Sequence, residues 1–248
     1  VRRIKLTIAY DGTNYCGWQI QINGITIEEV INKHLSNLTG ENIAVIGASR
    51  TDSGVHALGN VAVFDTDCNI PSDKFSYALN QRLPKDIRIQ ESCQVPLEFH
   101  PRYCDSDKTY QYNILNRNFE IPTLRLYSHF EFMKLDVDKM KEASNYIIGN
   151  HDFKSFCSLR TQVTTTIRTI YRMEINKNGD MITITISGNG FLYNMVRIIV
   201  GTLIKVGLGA YPPEYVKDII DAKDRTKAGP KVKASGLTLI DIDYEKNG

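Results

Sequence analysis

One six-element pattern occurs twice in this chain, and that repetition limits the available folds more than any other feature. In the first pass, Ile4, Leu6 and Ile8 alternate with Arg3, Lys5 and Thr7, the mark of a half-buried strand. Thr26 and Glu29 have capping-box spacing. Ile27, Val30, Ile31, His34, Leu35 and Leu38 then share one helical face, and Gly40 supplies the stop. Ile43 to Ile46 and Asn60 to Phe64 read as strands. Pro71-Ser72 opens a helix that ends near Pro84, and Asp86 to Ser92 is a closing strand.

The second pass has the same order. Tyr110, Tyr112 and Ile114 alternate along a strand. Asp136 caps a helix carrying Val137, Met140, Ala143 and Ile147, with Gly149 after it. Ile167 to Ile175 and Ile182 to Ile186 are strands joined by a turn at Lys177-Asn178-Gly179-Asp180. Phe191 to Val206 is a strongly apolar helix, a short helix follows Pro212-Pro213, and Leu237 to Tyr244 is the last strand. The pattern predicts an α+β fold of two ferredoxin-like β-α-β-β-α-β halves with largely antiparallel sheets. The halves are residues 1–104 and 105–248, with the boundary near 100–107. The absence of βαβα alternation argues against a doubly wound parallel sheet.

Composition adds little until its distribution is considered. Net charge is +2, yet residues 105–248 carry three more bases than acids, while residues 1–104 carry one more acid than base. Lys154, Arg160, Arg168 and Arg172 form one basic run, and Lys223, Arg225, Lys227, Lys231 and Lys233 form another. Such runs fit phosphate strips and solvated basic faces equally well. The five cysteines are scattered, with no C-x-x-C pair, so neither a zinc site nor a disulfide framework is expected. The pattern fits a reducing, cytoplasmic setting. Val1 to Lys5 lacks a signal-like apolar core, and the apolar stretch from Met195 to Ile204 is too short to span a bilayer.

Chemistry concentrates at two places. In the first half, the connection from Gly47 to Gly59 is far longer than its counterpart in the second. Loops that exceed their structural duty tend to carry function. This one holds Arg50, Thr51, Asp52, Ser53 and His56 around Gly54. Taken alone, it reads first as a polar turn with an Asx motif at Asp52. Arg197 shifts that balance. It lies in a helix that is apolar almost all round, hence buried. A buried guanidinium needs a partner, since breaking such a pair costs about 3–5 kcal/mol. A loop aspartate from the other half is a candidate, and Arg197 would hold Asp52 ionised. A snorkelling arginine is the alternative. Tyr110, on its strand, suits either a core position or a platform for an unstacked base, and spacing does not separate the two.

Six motifs then resemble one family in order along the chain. They are Tyr10-Asp11-Gly12-Thr13-Asn14-Tyr15-Cys16-Gly17-Trp18-Gln19-Ile20-Gln21, Arg50-Thr51-Asp52-Ser53-Gly54-Val55-His56-Ala57, Phe99-His100-Pro101-Arg102, Lys108-Thr109-Tyr110-Gln111-Tyr112, His151-Asp152-Phe153-Lys154-Ser155-Phe156, and Gly190-Phe191-Leu192-Tyr193-Asn194-Met195-Val196-Arg197. Together they are similar to the TruA-type tRNA pseudouridine synthases from residue 4 to about residue 244. The resemblance implies the pseudouridine synthase fold, its two halves meeting at a central cleft. It also implies a catalytic aspartate at Asp52, a substrate-stacking tyrosine at Tyr110, and Arg197 paired with the aspartate. Arg50 would help expel the target base. The implied protein is a homodimer without cofactor or metal, acting on uridines 38, 39 and 40 of the tRNA anticodon stem-loop. Two positions depart from the pattern: Ser49 replaces a common glycine, and Pro230-Lys231-Val232-Lys233-Ala234 replaces an Ala-Pro-Ala-like stretch.

Rival readings rest on less. Val63-Phe64-Asp65-Thr66-Asp67 faintly matches the D-x-D element of haloacid-dehalogenase-like phosphatases, whose parallel sheet is not predicted here. The H-x-E and P-C-x-x-C elements of zinc deaminases are absent. A non-catalytic RNA-binding α+β protein would leave Asp52 and Arg197 structural.

Overall fold

The computed structural model describes residues 1–158 and 164–244, so Arg160 of the first basic run lies outside the described residues. Its contacts divide the chain into two compact units, residues 1–106 with 238–248, and residues 107–237.

The first unit contains β1 (Arg2–Tyr10), α1 (Ile27–Thr39), β2 (Ile46–Gly47), β3 (His56–Thr66), α2 (Phe75–Asn80) and β4 (Ile87–Val95). Strand β1 lies between β4 and β3, antiparallel to both. The alternation read in β1 buries Ile4, Leu6, Ile8 and Tyr10. Helix α1 starts at Thr26, whose hydroxyl accepts the Glu29 N–H at 3.3 Å. It ends at Gly40 in the left-handed region, with Ile27, Ile31 and Leu35 fully buried. Burying each such side chain stabilises the fold by roughly 1.5–3 kcal/mol.

Strand β2 is shorter and later than expected. Ile43 and Val45 are buried but stay out of the ladder, because their N–H groups donate to Ser36 Oγ and Asn32 Oδ1 of α1. Backbone donors satisfied by a helix cannot also pair a strand. Strand β3 starts earlier than expected and shares one long edge between two partners. Ile46 and Gly47 of β2 pair antiparallel with Val63 and Ala62. Thr238 and Leu239 of β10 (Leu237–Asp243) pair parallel with His56 and Ala57.

Through that pairing, residues 238–244 cluster with the first unit, whose main segment ends at Ser106. The cause is local. A Cβ on Gly59 would lie 2.7 Å from Ile240 O, so glycine admits β10 beside β3. Tyr244 then packs edge-on against Phe99 at 5.0 Å and donates to Pro101 O at 2.8 Å.

The second unit contains β5 (Asp107–Asn116), β6 (His129–Glu131), α3 (Val137–Ser144), β7 (Gly149–Asp152), β8 (Ile167–Asn178), β9 (Met181–Gly188), α4 (Met195–Gly207) and α5 (Tyr215–Ala222). Strands β5, β9, β8 and β7 follow one another antiparallel, and β6 lies parallel to β5. The short strands β6 and β7 carry no alternation of their own and were not legible in the sequence. Asp136 caps α3 by accepting the Lys139 N–H at 3.1 Å. That helix stops at Ser144, so Ile147 sits in a turn and Gly149 begins β7. Helix α4 is buried nearly all round, as its composition requires, and α5 is the added short helix. Both units are α+β and largely antiparallel, the class the repeated pattern predicts.

Candidate active site

The connector between β2 and β3 spans residues 48–55, and its geometry follows from contacts with a distant segment. Residues 49–52 alternate: Ser49 and Thr51 are buried, Arg50 is exposed and Asp52 is half-buried. The inward residues are anchored. Trp18 N–H donates to Thr51 O at 3.0 Å, and the Tyr10 hydroxyl lies 2.7 Å from Thr51 Oγ1. Gly54 N–H donates to Tyr15 O at 3.3 Å, and the Ser53 hydroxyl donates to the same carbonyl at 3.2 Å. Val55 N–H closes a turn onto Asp52 O at 3.1 Å.

Two glycines of the 10–21 motif make this contact possible. A Cβ on Gly12 would fall 2.0 Å from Val55 O. Gly17 combines φ +84° with a Cβ position 2.6 Å from Thr51 O. Only glycine adopts that backbone freely and leaves that space. Trp18, fully buried, occupies the site of any Cβ on Gly47, 2.3 Å from its indole nitrogen. The connector is thus clamped from Thr51 to Val55 by residues 12–18.

His56 closes the far end as the first residue of β3. Its ring is 5% exposed, and Gly12 N–H donates to Nδ1 at 3.1 Å, with Asp11 Oδ1 at the same distance. Arg102 sits at the near end and donates from Nε to Gly47 O at 2.7 Å. Burial, and then the neighbouring Arg50 guanidinium, push the Arg102 pKa below the usual arginine value. Arg50 and Arg102 are thus close enough to repel each other, and a pair of guanidiniums suits phosphate oxygens.

The second unit holds the other two candidates. Tyr110 is 8% exposed on β5, opposite Ile186 of β9, and its ring meets Phe191 edge-on at 5.1 Å. Arg197 is half-buried in the first turn of α4. Its Nε donates to Val232 O at 2.8 Å and its Nη1 to Asn194 Oδ1 at 3.1 Å. Asn194 has φ 61°, which ends the preceding loop and delays the helix from the expected Phe191 to Met195. Its amide donates to Ser158 Oγ at 2.8 Å. Val232 N–H returns to Arg197 O at 3.4 Å. The departing segment at 230–234 is therefore a strap along α4. It passes so close that a Cβ on Gly201 would overlap Pro230 O at 1.8 Å. Lys231 and Lys233 project outward from it while Val232 is buried. Tyr112, next but one to Tyr110, donates to Lys233 O at 2.7 Å.

The connector and Arg197 lie within the two segments that a family model matches, and Tyr110 lies between those segments. The model described as tRNA pseudouridine synthase matches residues 6–104 and 143–245. The chain belongs to the tRNA pseudouridine synthase family. Curated relatives are similar over nearly its full length. A tRNA pseudouridine synthase A of Ruminiclostridium cellulolyticum is 52% identical over 98% of this chain and all of its own. One from Thermoanaerobacter sp. is 50% identical with the same coverage. A tRNA pseudouridine synthase A 2 of Clostridium perfringens is likewise 50% identical over 98% of this chain.

Against that family background, Asp52 and Arg50 lie on the clamped connector, and Tyr110 and Arg197 lie in the second unit. The sequence alone assigns no role to the residues of the 10–21 motif. Tyr10, Gly12, Gly17 and Trp18 position the connector, and Arg102 joins Arg50. Their signal in the sequence is the two family motifs, Tyr10 to Gln21 in a long strand-to-helix connection and Phe99 to Arg102. Among the described residues no group of three or more His, Cys, Asp or Glu side chains could hold a metal ion, and the five cysteines are free thiols. No described helix is long and apolar enough to cross a membrane.

Proposed function

We propose that this protein isomerises uridine to pseudouridine at positions 38, 39 and 40 of the tRNA anticodon stem-loop, with Asp52 as the catalytic nucleophile. One observation carries the reading: in a chain of this family, a connector clamped by buried residues turns Arg50 and Asp52 outward together. The C1′–N1 bond of uridine breaks, the base rotates, and a C1′–C5 bond forms while the C5 proton leaves and N1 gains one. The net change is neutral in electrons, so the chemistry calls for no redox cofactor. Asp52 supplies a carboxylate that bonds the nucleotide as it detaches, and that bond breaks again before pseudouridine leaves, which restores the free carboxylate.

The remaining roles follow from side-chain chemistry. Arg197 is the proposed partner that keeps Asp52 charged. Tyr110 is the proposed platform for the flipped base, and Arg50 helps displace that base from its stack. Flipping costs a few kcal/mol, least in a loop, which favours the anticodon arm. Lys223, Arg225, Lys227, Lys231 and Lys233 supply phosphate contacts, so tRNA affinity should fall as salt rises. The protein works in the cytoplasm as a homodimer; a monomeric mass by sedimentation at assay concentrations would remove the second statement.

The decisive experiment incubates the protein with an unmodified tRNA transcript bearing uridines at all three positions and maps pseudouridine by carbodiimide probing. Modification at 38, 39 and 40 is the expected result. An anticodon arm without pseudouridine would sink the proposal.

A further inference from the structure

The connector bearing Asp52 is fixed from below by a buried polar network. Asn60 of β3 is fully buried, and its carboxamide faces the peptide of Ser49. Ser49 N–H donates to Asn60 Oδ1 at 3.3 Å, and Asn60 Nδ2 donates to Ser49 O at 3.1 Å. A primary amide places donor and acceptor side by side, so it can close both bonds as a neighbouring strand would. Neither aspartate nor leucine can. Asn60 Nδ2 also donates to the Tyr10 hydroxyl at 3.2 Å, and that hydroxyl lies 2.7 Å from Thr51 Oγ1. Tyr10 is 4% exposed and Thr51 7%. One chain of bonds therefore runs from β3 through β1 to the residues one and three positions before Asp52.

We infer that Tyr10 and Asn60 are positioning residues for Asp52: by holding Thr51 and Ser49 inward they set the direction in which Asp52 and Arg50 project. The inference rests on Asp52 being the catalytic carboxylate. Buried polar groups are kept only when satisfied, and here two bonds fall on the connector's backbone at Ser49, one on the Thr51 side chain beside Asp52, and the fourth ties Asn60 to Tyr10. Losing one bond leaves the core packing intact. A small displacement of a reacting group, in contrast, can cost about a hundredfold in rate.

The test compares Tyr10→Phe, Thr51→Val, Thr51→Ser and the Tyr10→Phe/Thr51→Val double variant on unmodified tRNA, with kcat, KM, tRNA affinity and Tm measured for each. Tyr10→Phe and Thr51→Val should each lower kcat by roughly ten- to a hundredfold. KM should not change, and Tm should fall by no more than about 4 °C. Thr51→Ser, which keeps the hydroxyl, should recover most of the rate. The double variant should be no slower than the worse single one, since both remove the same bond. Three results would overturn the inference: unchanged kcat in both single variants, a loss confined to KM, or losses that multiply in the double variant. If Tyr10→Phe does not fold, the Thr51→Val and Thr51→Ser pair decides by the same criteria. Inactive wild-type protein would instead refute the proposed function, so the two failures are distinguishable.

Discussion

The two halves each join a pair of antiparallel strands, and they do so in opposite ways. Strands β8 and β9 are linked by Gly179 and Asp180 alone, and a Cβ on Gly179, at φ +58°, would meet nothing within 4 Å. Strands β2 and β3 are linked by residues 48–55, packed so closely on residues 12–18 that Cβ atoms on Gly12 and Gly17 would overlap the connector's backbone. The first connection is a turn in open space, and its glycine serves the turn geometry. The second is held as tightly as a core element. A long loop can be rigid when something distant fills its inner side, and rigidity is what a reacting carboxylate requires.

Four tests probe that contrast, beginning with the largest effect. Asp52→Asn keeps the shape of the clamped connector and removes the charge. Turnover should fall by about four orders of magnitude or more, while tRNA affinity measured by filter binding stays near wild type. Retained activity would take the clamped loop out of the chemistry. Arg197→Met acts in the other unit and should affect both readouts. It strips the donors from Val232 O and Asn194 Oδ1, each costing about 1–3 kcal/mol if buried unpaired. Both Tm and kcat should drop, and a variant unchanged in both would refute the role given to the guanidinium. Tyr110→Ala should slow single-turnover modification by roughly ten- to a hundredfold, the equivalent of about 1–3 kcal/mol of lost stacking, and Tyr110→Phe should restore it. Equal rates in the two variants would argue against the platform. The most direct comparison is Gly17→Ala with Gly179→Ala. Both force alanine into a left-handed backbone at a cost of about 1–2 kcal/mol. Gly17→Ala should also shift the connector and lower kcat, whereas Gly179→Ala should lower Tm alone. Similar kcat for both would mean that the clamp has no bearing on catalysis.

Much of this was legible from periodicity. The alternation in β1, β5 and β9 and the apolar residues of α1 and α4 are local, and each element forms where its pattern lies, except that α4 starts at Met195 and not at Phe191. The oversized connector was legible as a length mismatch between repeats. Its limits were not: β2 came late because Ile43 and Val45 are bonded to α1, and the loop ended at His56 because β10 extends the ladder of β3 there. Arg197 was recognised as a charge needing partners. That a backbone carbonyl on the 230–234 strap takes its Nε could not be read from a segment known only as a departure from the family pattern.

By itself the sequence determined the class of fold, its repetition and the family, and it singled out Asp52, Arg50, Tyr110 and Arg197 as the residues proposed to carry chemistry. These depend on residue type and short-range spacing, which a linear chain displays. Tertiary structure alone decided how Asp52 is presented. Gly12, Gly17, Trp18, Tyr10 and Asn60 act on the connector across sequence separations that no periodicity records. It also decided that the last strand clusters with the first unit. The physical reason is common to both. Backbone hydrogen bonds and close glycine contacts are settled by whichever segment arrives to satisfy them, and that choice exists only once the chain has folded.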